Sequence, residues 1–317
     1  MAHMIDTTTG RAAMAYTGAA PWHNLGQQLT PGASIEEWTR EAGLAYTVLE
    51  SPVLYRTEAA SEPEAFKGRK VLHRSDTGGA LAVVSDSYHV VQPAEVMGFF
   101  EKLVQIGGFE LETAGVLSHG RRVWGLARVN DGAEIIGGDV VRPYVLLGTS
   151  YDGTMATVAK FTSVRVVCHN TITAALGSGE AVRVLHSERF DADRVRQDLG
   201  IVSGAWDRFL IQSRKLAGVS LSESEADQFV RALLEPYKTP GTPVEESRAY
   251  RRVLELFNGR AIGSDIPGVS GTRWGMLNAV TELVDHERGR SANTRMESAW
   301  FGTGAAMKNR ALELLAA

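Results

Sequence analysis

Before about residue 190, short β-branched runs alternate with turn residues; beyond it, apolar positions recur at helical spacing. Ser34-Ile35-Glu36-Glu37 reads as a capping box, with Ser34 placed to accept an orphan amide and Glu37 to reach back, opening a helix that ends near Gly43. A strand is expected over 46–55 and a polar loop over 61–68. Further strands at 70–73 and 80–85 flank the hairpin turn Asp76-Thr77-Gly78-Gly79. Pro93 suits the first position of a helix, where its missing amide costs nothing. Val96, Phe99, Phe100, Leu103 and Val104 then repeat with helical period until Gly107-Gly108, predicting a helix laid on a sheet. Strands follow at 109–117, 121–129 and 140–150. Asp152-Gly153 is the strongest hairpin signal in the chain, so 144–151 should pair with 154–164. A helix is expected over 166–176 and a last strand over 182–186.

Val195, Leu199, Val202, Trp206, Phe209 and Leu210 mark one long amphipathic helix. Ser222 and Glu225 form a second capping box, starting a helix that buries Phe229, Val230, Leu233 and Leu234. The proline-rich stretch 236–243 reads as a linker, and helices are expected near 245–258, 272–286 and 294–315. The fold class is α+β: an N-terminal antiparallel sheet packed with a few helices (1–188), followed by a helical C-terminal region (189–317).

Composition narrows the function only by exclusion. With 44% hydrophobic and 22% charged residues, the 317-residue chain has material for a sizeable core. A net charge of −4 speaks against a basic coat over the whole surface but leaves room for a local basic groove. One cysteine, Cys168, excludes an internal disulfide framework and a cysteine-built zinc cage. No secretory signal or membrane-length apolar run is present, so a soluble cytoplasmic protein with no membrane contact is expected.

The phosphate-cradling and dinucleotide glycine motifs are missing, as is H-E-x-x-H. Gly177-Ser178-Gly179 follows a predicted helix and reads as its cap. The eight histidines are dispersed, so no metal and no cofactor is expected. Cys168-His169-Asn170 holds the residue types of a thiol triad. Consecutive side chains diverge, however, and Cys168 reads as a small buried apolar group. Arg121, Arg122, Lys160, Arg165 and Arg183 are interleaved with Tyr88, Trp124, Tyr144, Tyr151 and Phe161. Such a sheet either tracks phosphates and stacks bases or carries a solvated charged face over a packed aromatic layer.

Met14-Ala15-Tyr16-Thr17-Gly18, then Pro21-Trp22-His23-Asn24-Leu25-Gly26, resembles the opening of the phage/plasmid-like family catalogued as domain of unknown function 932. The resemblance continues through Tyr88-His89-Val90-Val91-Gln92, Thr149-Ser150-Tyr151-Asp152-Gly153-Thr154 and Arg165-Val166-Val167-Cys168-His169-Asn170-Thr171. The family-motif residues here are Trp22, His23, Gly26, Asp152, Gly153, His169 and Asn170. Asn24 stands where the family has glycine, and asparagine is well tolerated at positive φ. The resemblance implies a gene carried by phages, prophages or plasmids, and no established activity. In element order alone, the chain also resembles single-strand annealing proteins of the Rad fifty-two and phage Redβ type, which hold single-stranded DNA in oligomers.

The leading expectation is a mobile-element accessory protein that binds or anneals single-stranded DNA as a homo-oligomer. Arg121, Arg122, Lys160 and Arg165 would contact phosphate, and Tyr151 would stack a base. Two alternatives stay open. One is a hydrolase or nucleic-acid-modifying enzyme gathering His23, Asp152, His169 and Asn170. The other is a counter-defence module binding a host protein through the helical half. Trp22 is expected to anchor a fixed loop on the sheet or a neighbouring subunit, with His23 satisfying the turn or lining a ligand site.

Overall fold

A computed structural model describes residues 5–18, 25–58, 62–106, 108–165, 171–172, 181–199, 205–289 and 292–317. Its strands are β1 (Met14–Thr17), β2 (Gln27–Leu29), β3 (Val48–Tyr55), β4 (Glu64–Arg74), β5 (Ala80–Ser85), β6 (Glu110–Leu117), β7 (Arg122–Arg128), β8 (Ala133–Glu134), β9 (Val140–Ser150), β10 (Thr157–Arg165), β11 (Thr171–Ile172) and β12 (Ala181–Val184). Its helices are α1 (Ile35–Glu41), α2 (Pro93–Ile106), α3 (Ala192–Asp198), α4 (Ala205–Ala217), α5 (Glu223–Leu234), α6 (Arg248–Glu255), α7 (Arg273–Glu282), α8 (Ala292–Phe301) and α9 (Thr303–Ala316). The fold class is α+β, as read from the sequence.

The strands β11-β10-β9-β7-β6-β1-β2 lie side by side in one large sheet. The strand β12 also pairs with β10, and β8 with β9. The β9–β10 hairpin forms about Asp152-Gly153, with Phe161 opposite Val145 and Lys160 opposite Leu146. Its ladder ends at Gly148 and Val158, so the expected tight turn is a wider loop and 149–151 do not pair with 154–156. The sheet departs from pure antiparallel pairing at one edge, where β1 and β2 run parallel. These strands of four and three residues escaped the sequence pattern because neither is long enough to show alternation.

Both faces of the large sheet are covered. On one, α2 seats Val96, Phe99, Phe100 and Leu103, all essentially buried. Gly125 admits Phe100: a Cβ there would stand 2.4 Å from the ring. On the other face, Trp124, Leu126, Tyr144 and Leu146 pack with Trp300 and Phe301 of α8. Trp300 meets Trp124 edge-on at 5.0 Å, and a Cβ on Gly148 would stand 2.5 Å from Phe301 Cζ. Each buried aromatic contributes about 1.5–3 kcal/mol, so neither cover is incidental.

The helical half gathers around α7, where every residue from Trp274 to Glu282 is buried. A helix buried on all sides belongs at the centre of a bundle, and here it takes the polar Asn278, Thr281 and Glu282 inside with it. Its core is continuous with the sheet, since Ile135 and Val141 pack into it and Trp274 Nε1 donates to the buried Asp139 carboxylate at 2.8 Å.

The Ser222–Glu225 capping box closes in both directions, whereas at Ser34 only the hydroxyl half forms, accepting from Glu37 N. Three boundaries also differ from the pattern. The expected loop over 61–68 contains the start of β4. The expected long helix from Val195 is two helices, α3 and α4. Gly302 breaks the last helix into α8 and α9. Thr171 and Ile172 are extended, where a helix was expected over 166–176; residues 166–170 and 173–176 lie outside those described. Among the described residues no helix is long and apolar enough to cross a membrane.

Candidate nucleic-acid interface

The turn that follows β9 is built from the motif residues themselves. Gly153 sits at φ +71°, which its hairpin position requires. Asp152 Oδ1 accepts from the Thr154 amide at 3.1 Å and its hydroxyl at 2.5 Å. Arg122 Nη2 donates to Thr154 Oγ1 at 2.8 Å and lies 3.7 Å from Asp152 Oδ2. Burial pushes the Asp152 carboxyl up, but the bonds from Thr154, the Arg122 charge and Ser150 outweigh it and hold the group below its ordinary value. Tyr88 donates to the Ser150 carbonyl at 2.7 Å and stacks on His186, with ring centroids 4.2 Å apart. His186 in turn sits within 3.1 Å of the His89 and Met155 carbonyls. The arrangement fastens β9 to β12 and consumes the hydrogen-bonding capacity of its own polar groups.

Of the residues expected to form a basic groove, Tyr151 and Lys160 are buried. Arg122 closes the Asp152 turn. Tyr151, expected as a stacking platform, is fully buried, and its hydroxyl finds no partner, so no base can reach its ring. Lys160 is also buried, donating to the Trp300 carbonyl with Phe301 beside it. Burial pushes its ammonium down to about 7. Lys308 and Arg183 act in the same direction, and Asp285 opposes them. Lys308 is buried against Asp285 at 2.7 Å, so this polar cluster fills the seam between the sheet and α8–α9.

The physical reason is the α8 cover: the sheet face that carries Lys160 meets helix, not solvent. Arg121 is exposed and its carbonyl accepts from Tyr151 N at 2.7 Å. Gly26 is a packing residue, since a Cβ there would stand 2.8 Å from the Met14 carbonyl oxygen beside β1. Trp22, His23, Cys168, His169, Asn170 and the Arg165 side chain lie outside the described residues. Among the described residues, no three His, Cys, Asp or Glu side chains group to hold a metal.

A different surface combines aromatic and basic side chains. The strands β3, β4 and β5 form a separate antiparallel sheet whose far end stands away from the core. Between Pro52 and Leu54 the β3–β4 register jumps, from Pro52 opposite Lys70 to Leu54 opposite Ala65. The segment Phe66-Lys67-Gly68-Arg69 bulges out of the ladder there. Tyr55 and Phe66 are exposed and meet edge-on at 6.4 Å; Arg56, Lys67 and Arg69, their near neighbours in sequence, are exposed as well. Lys70 pairs with Glu50 at 2.9 Å, and Glu64 accepts from the Tyr55 hydroxyl at 2.8 Å; Glu58 and Glu62 are exposed at the same end. The run Phe66-Lys67-Gly68-Arg69-Lys70 is the signal that could have found this surface, and reading 61–68 as a loop passed over it.

Residues 80–300 match the model of a family described as a domain of unknown function, DUF932. No curated protein and no solved structure matches the chain. The matched span contains the Tyr88–Gln92 and Thr149–Thr154 motifs and crosses residue 188 into the helical half. It begins after the Trp22–Gly26 segment and after β3 and β4.

Proposed function

The chain belongs to the DUF932 family, and we propose that it is an accessory protein of a mobile genetic element that binds single-stranded nucleic acid through the β3–β5 sheet. The observation that carries this reading is the exposed, edge-on Tyr55–Phe66 pair, with the exposed Arg56, Lys67 and Arg69 next to it in sequence. Aromatic rings on an open sheet offer a stacking surface worth about 1–3 kcal/mol per base, and the neighbouring cations attract the backbone. Two aromatics standing in water at the end of a sheet gain by being covered, whereas Tyr151 and Lys160 are already covered by the protein itself. The surface precedes the family-matched span, so its support comes from this chain's own residues.

Three cations against Glu58, Glu62 and Glu64 leave no net local charge, so the attraction is modest. At about 0.7 logarithmic units per phosphate on a single strand, a slope of about −2 is the upper bound for the salt dependence. Fluorescence anisotropy with labelled oligothymidylate tests the reading. The pair Y55A/F66A should weaken binding about tenfold or more. Replacing Lys67 and Arg69 with glutamine should flatten the salt slope by about 1.4. Absence of binding at low salt, or binding indifferent to Y55A/F66A in a protein with wild-type circular dichroism, overturns it.

A further inference from the structure

The helical half carries a recess that the nucleic-acid reading does not use. Between α4, the turn after it and the end of α9 lies a cavity of about 360 Å³. Its apolar wall is Ile211, Leu216, Val219 and Leu315, and its polar groups include Arg208, Lys215 and Arg273, with no carboxylate side chain in the lining. A second recess of about 260 Å³ adjoins it, sharing Arg273 and Leu315 and adding Phe229 and Glu225. Glu225 accepts from the Ser222 cap and also feels the charge of Arg273, so Lys215 is the cation of this region farther from a lining carboxylate. Arg273 is fixed in place by donating to the Leu315 carbonyl at 2.7 Å. Ile211 is 69% exposed although it stands on the apolar wall of the cavity.

We infer that this recess binds a small amphiphilic anion, an aliphatic chain ending in a single carboxylate or phosphate. The volume lies at the lower end of the range of about 300–1,000 Å³ typical of small-molecule sites, which are apolar with a few placed polar groups. The chain would lie on Ile211, Leu216 and Val219, withdrawing from water an isoleucine the fold leaves bare. The head would face Lys215 and Arg273, where the lining of the larger recess supplies positive charge and, among the described residues, no carboxylate. A neutral chain would forgo that attraction, and a bare anion would forgo the apolar wall.

The probes are decanoate and decyl phosphate, titrated calorimetrically into the full-length protein below their aggregation concentrations. One saturable site is expected for at least one of them, with decanol binding more weakly than either. Lys215→Gln alters an exposed side chain and should weaken anion binding up to about fivefold while leaving decanol unchanged. Ile211→Ser should weaken both about tenfold. If neither anion saturates, if decanol binds as tightly as the anions, or if both variants bind like the wild type, the inference is overturned. None of these outcomes bears on the oligothymidylate assay, so the two readings fail separately.

Discussion

The guanidinium of Arg74 and the carboxylate of Asp6 meet across 68 positions of sequence, both almost completely removed from water. Arg74 also grips Asp76 with two bonds of 2.9 and 2.7 Å and lies over the Tyr46 ring at 4.2 Å. The cluster ties the N-terminal segment to the small sheet. It also adjoins the turn after β6, where Ser118 and His119 adopt positive φ and a Cβ on Gly120 would strike Arg74 Cδ.

Removing Arg74 leaves Asp6 buried without a counter-charge, so Arg74→Ala should cost about 3–5 kcal/mol in urea denaturation. Arg74→Lys should recover less than half of that, because an ammonium cannot reproduce the two-bond grip on Asp76. A cost within experimental error for the alanine variant would show that the cluster is not holding the segment.

Acid should attack the same cluster. Burial pushes Asp6 up, but the bonds from Thr8 and the Arg74 interaction bring it below its ordinary value. Asp76 is also lowered, chiefly by its hydrogen bond from Arg74. A carboxyl depressed on folding binds fewer protons than its unfolded counterpart. Its stabilisation is therefore complete above the unfolded value, about 3.9, and is lost as pH falls through the folded one. Urea midpoints should drop below about pH 4, and Asp6→Asn should shallow that limb. An unchanged acid limb in the variant would assign the loss to other groups.

Lys160 predicts a slope of the same sign in a higher pH window. Its ammonium is pushed to about 7 on folding, so between there and its ordinary value near 10.5 the unfolded chain holds a proton that the folded one has released. Stability from this group rises with pH across that window. Lys160→Met should flatten the rise and be at least as stable as the wild type at neutral pH, as is common when a buried charge gives way to an apolar side chain of similar volume. Denaturation midpoints at several values from neutral to alkaline pH decide it; an undiminished slope would place the titration elsewhere.

Gly125 and Gly148 predict paired rescues. Adding a methyl at either overpacks a face of the sheet, costing about 1–3 kcal/mol. G125A should be relieved by Phe100→Leu and G148A by Phe301→Leu, with no relief from the crossed combinations. Thermal melts of the four double variants separate the faces, and equal rescue by either partner would contradict the two-sided packing.

Periodicity made α2 legible because Val96, Phe99, Phe100 and Leu103 report one buried stripe, and the β9–β10 hairpin because Asp152-Gly153 admits few alternatives. It could not report β1 and β2, too short to alternate, or the break at Gly302, where residues before and after keep helical spacing. The burial of Lys160 escaped the sequence for a different reason. A lysine on a strand looks the same in sequence whether solvent or a helix faces it. Only the fold brings Trp300 over Lys160, 140 positions later. Tyr151 was misjudged by the same blindness to what covers a face. The Phe66–Lys70 run was visible as residues, but its polar flanks disguised it as a loop.

The order in which strands sit in the large sheet sets a timetable for the nascent chain. β1 bonds to β6, with Thr113 donating to the carbonyl of Ala15 98 positions earlier. At translation rates of about 5–20 residues per second, β1 must wait about 5–20 seconds for its partner. The face carrying Trp124, Tyr144 and Leu146 waits longer still, until Trp300 and Phe301 leave the ribosome. From Leu146 until Trp300 is made the chain therefore displays an aromatic sheet surface without its α8 cover. Stalled or truncated products ending before α8 should be the species that aggregate or recruit chaperones, while the completed chain refolds freely.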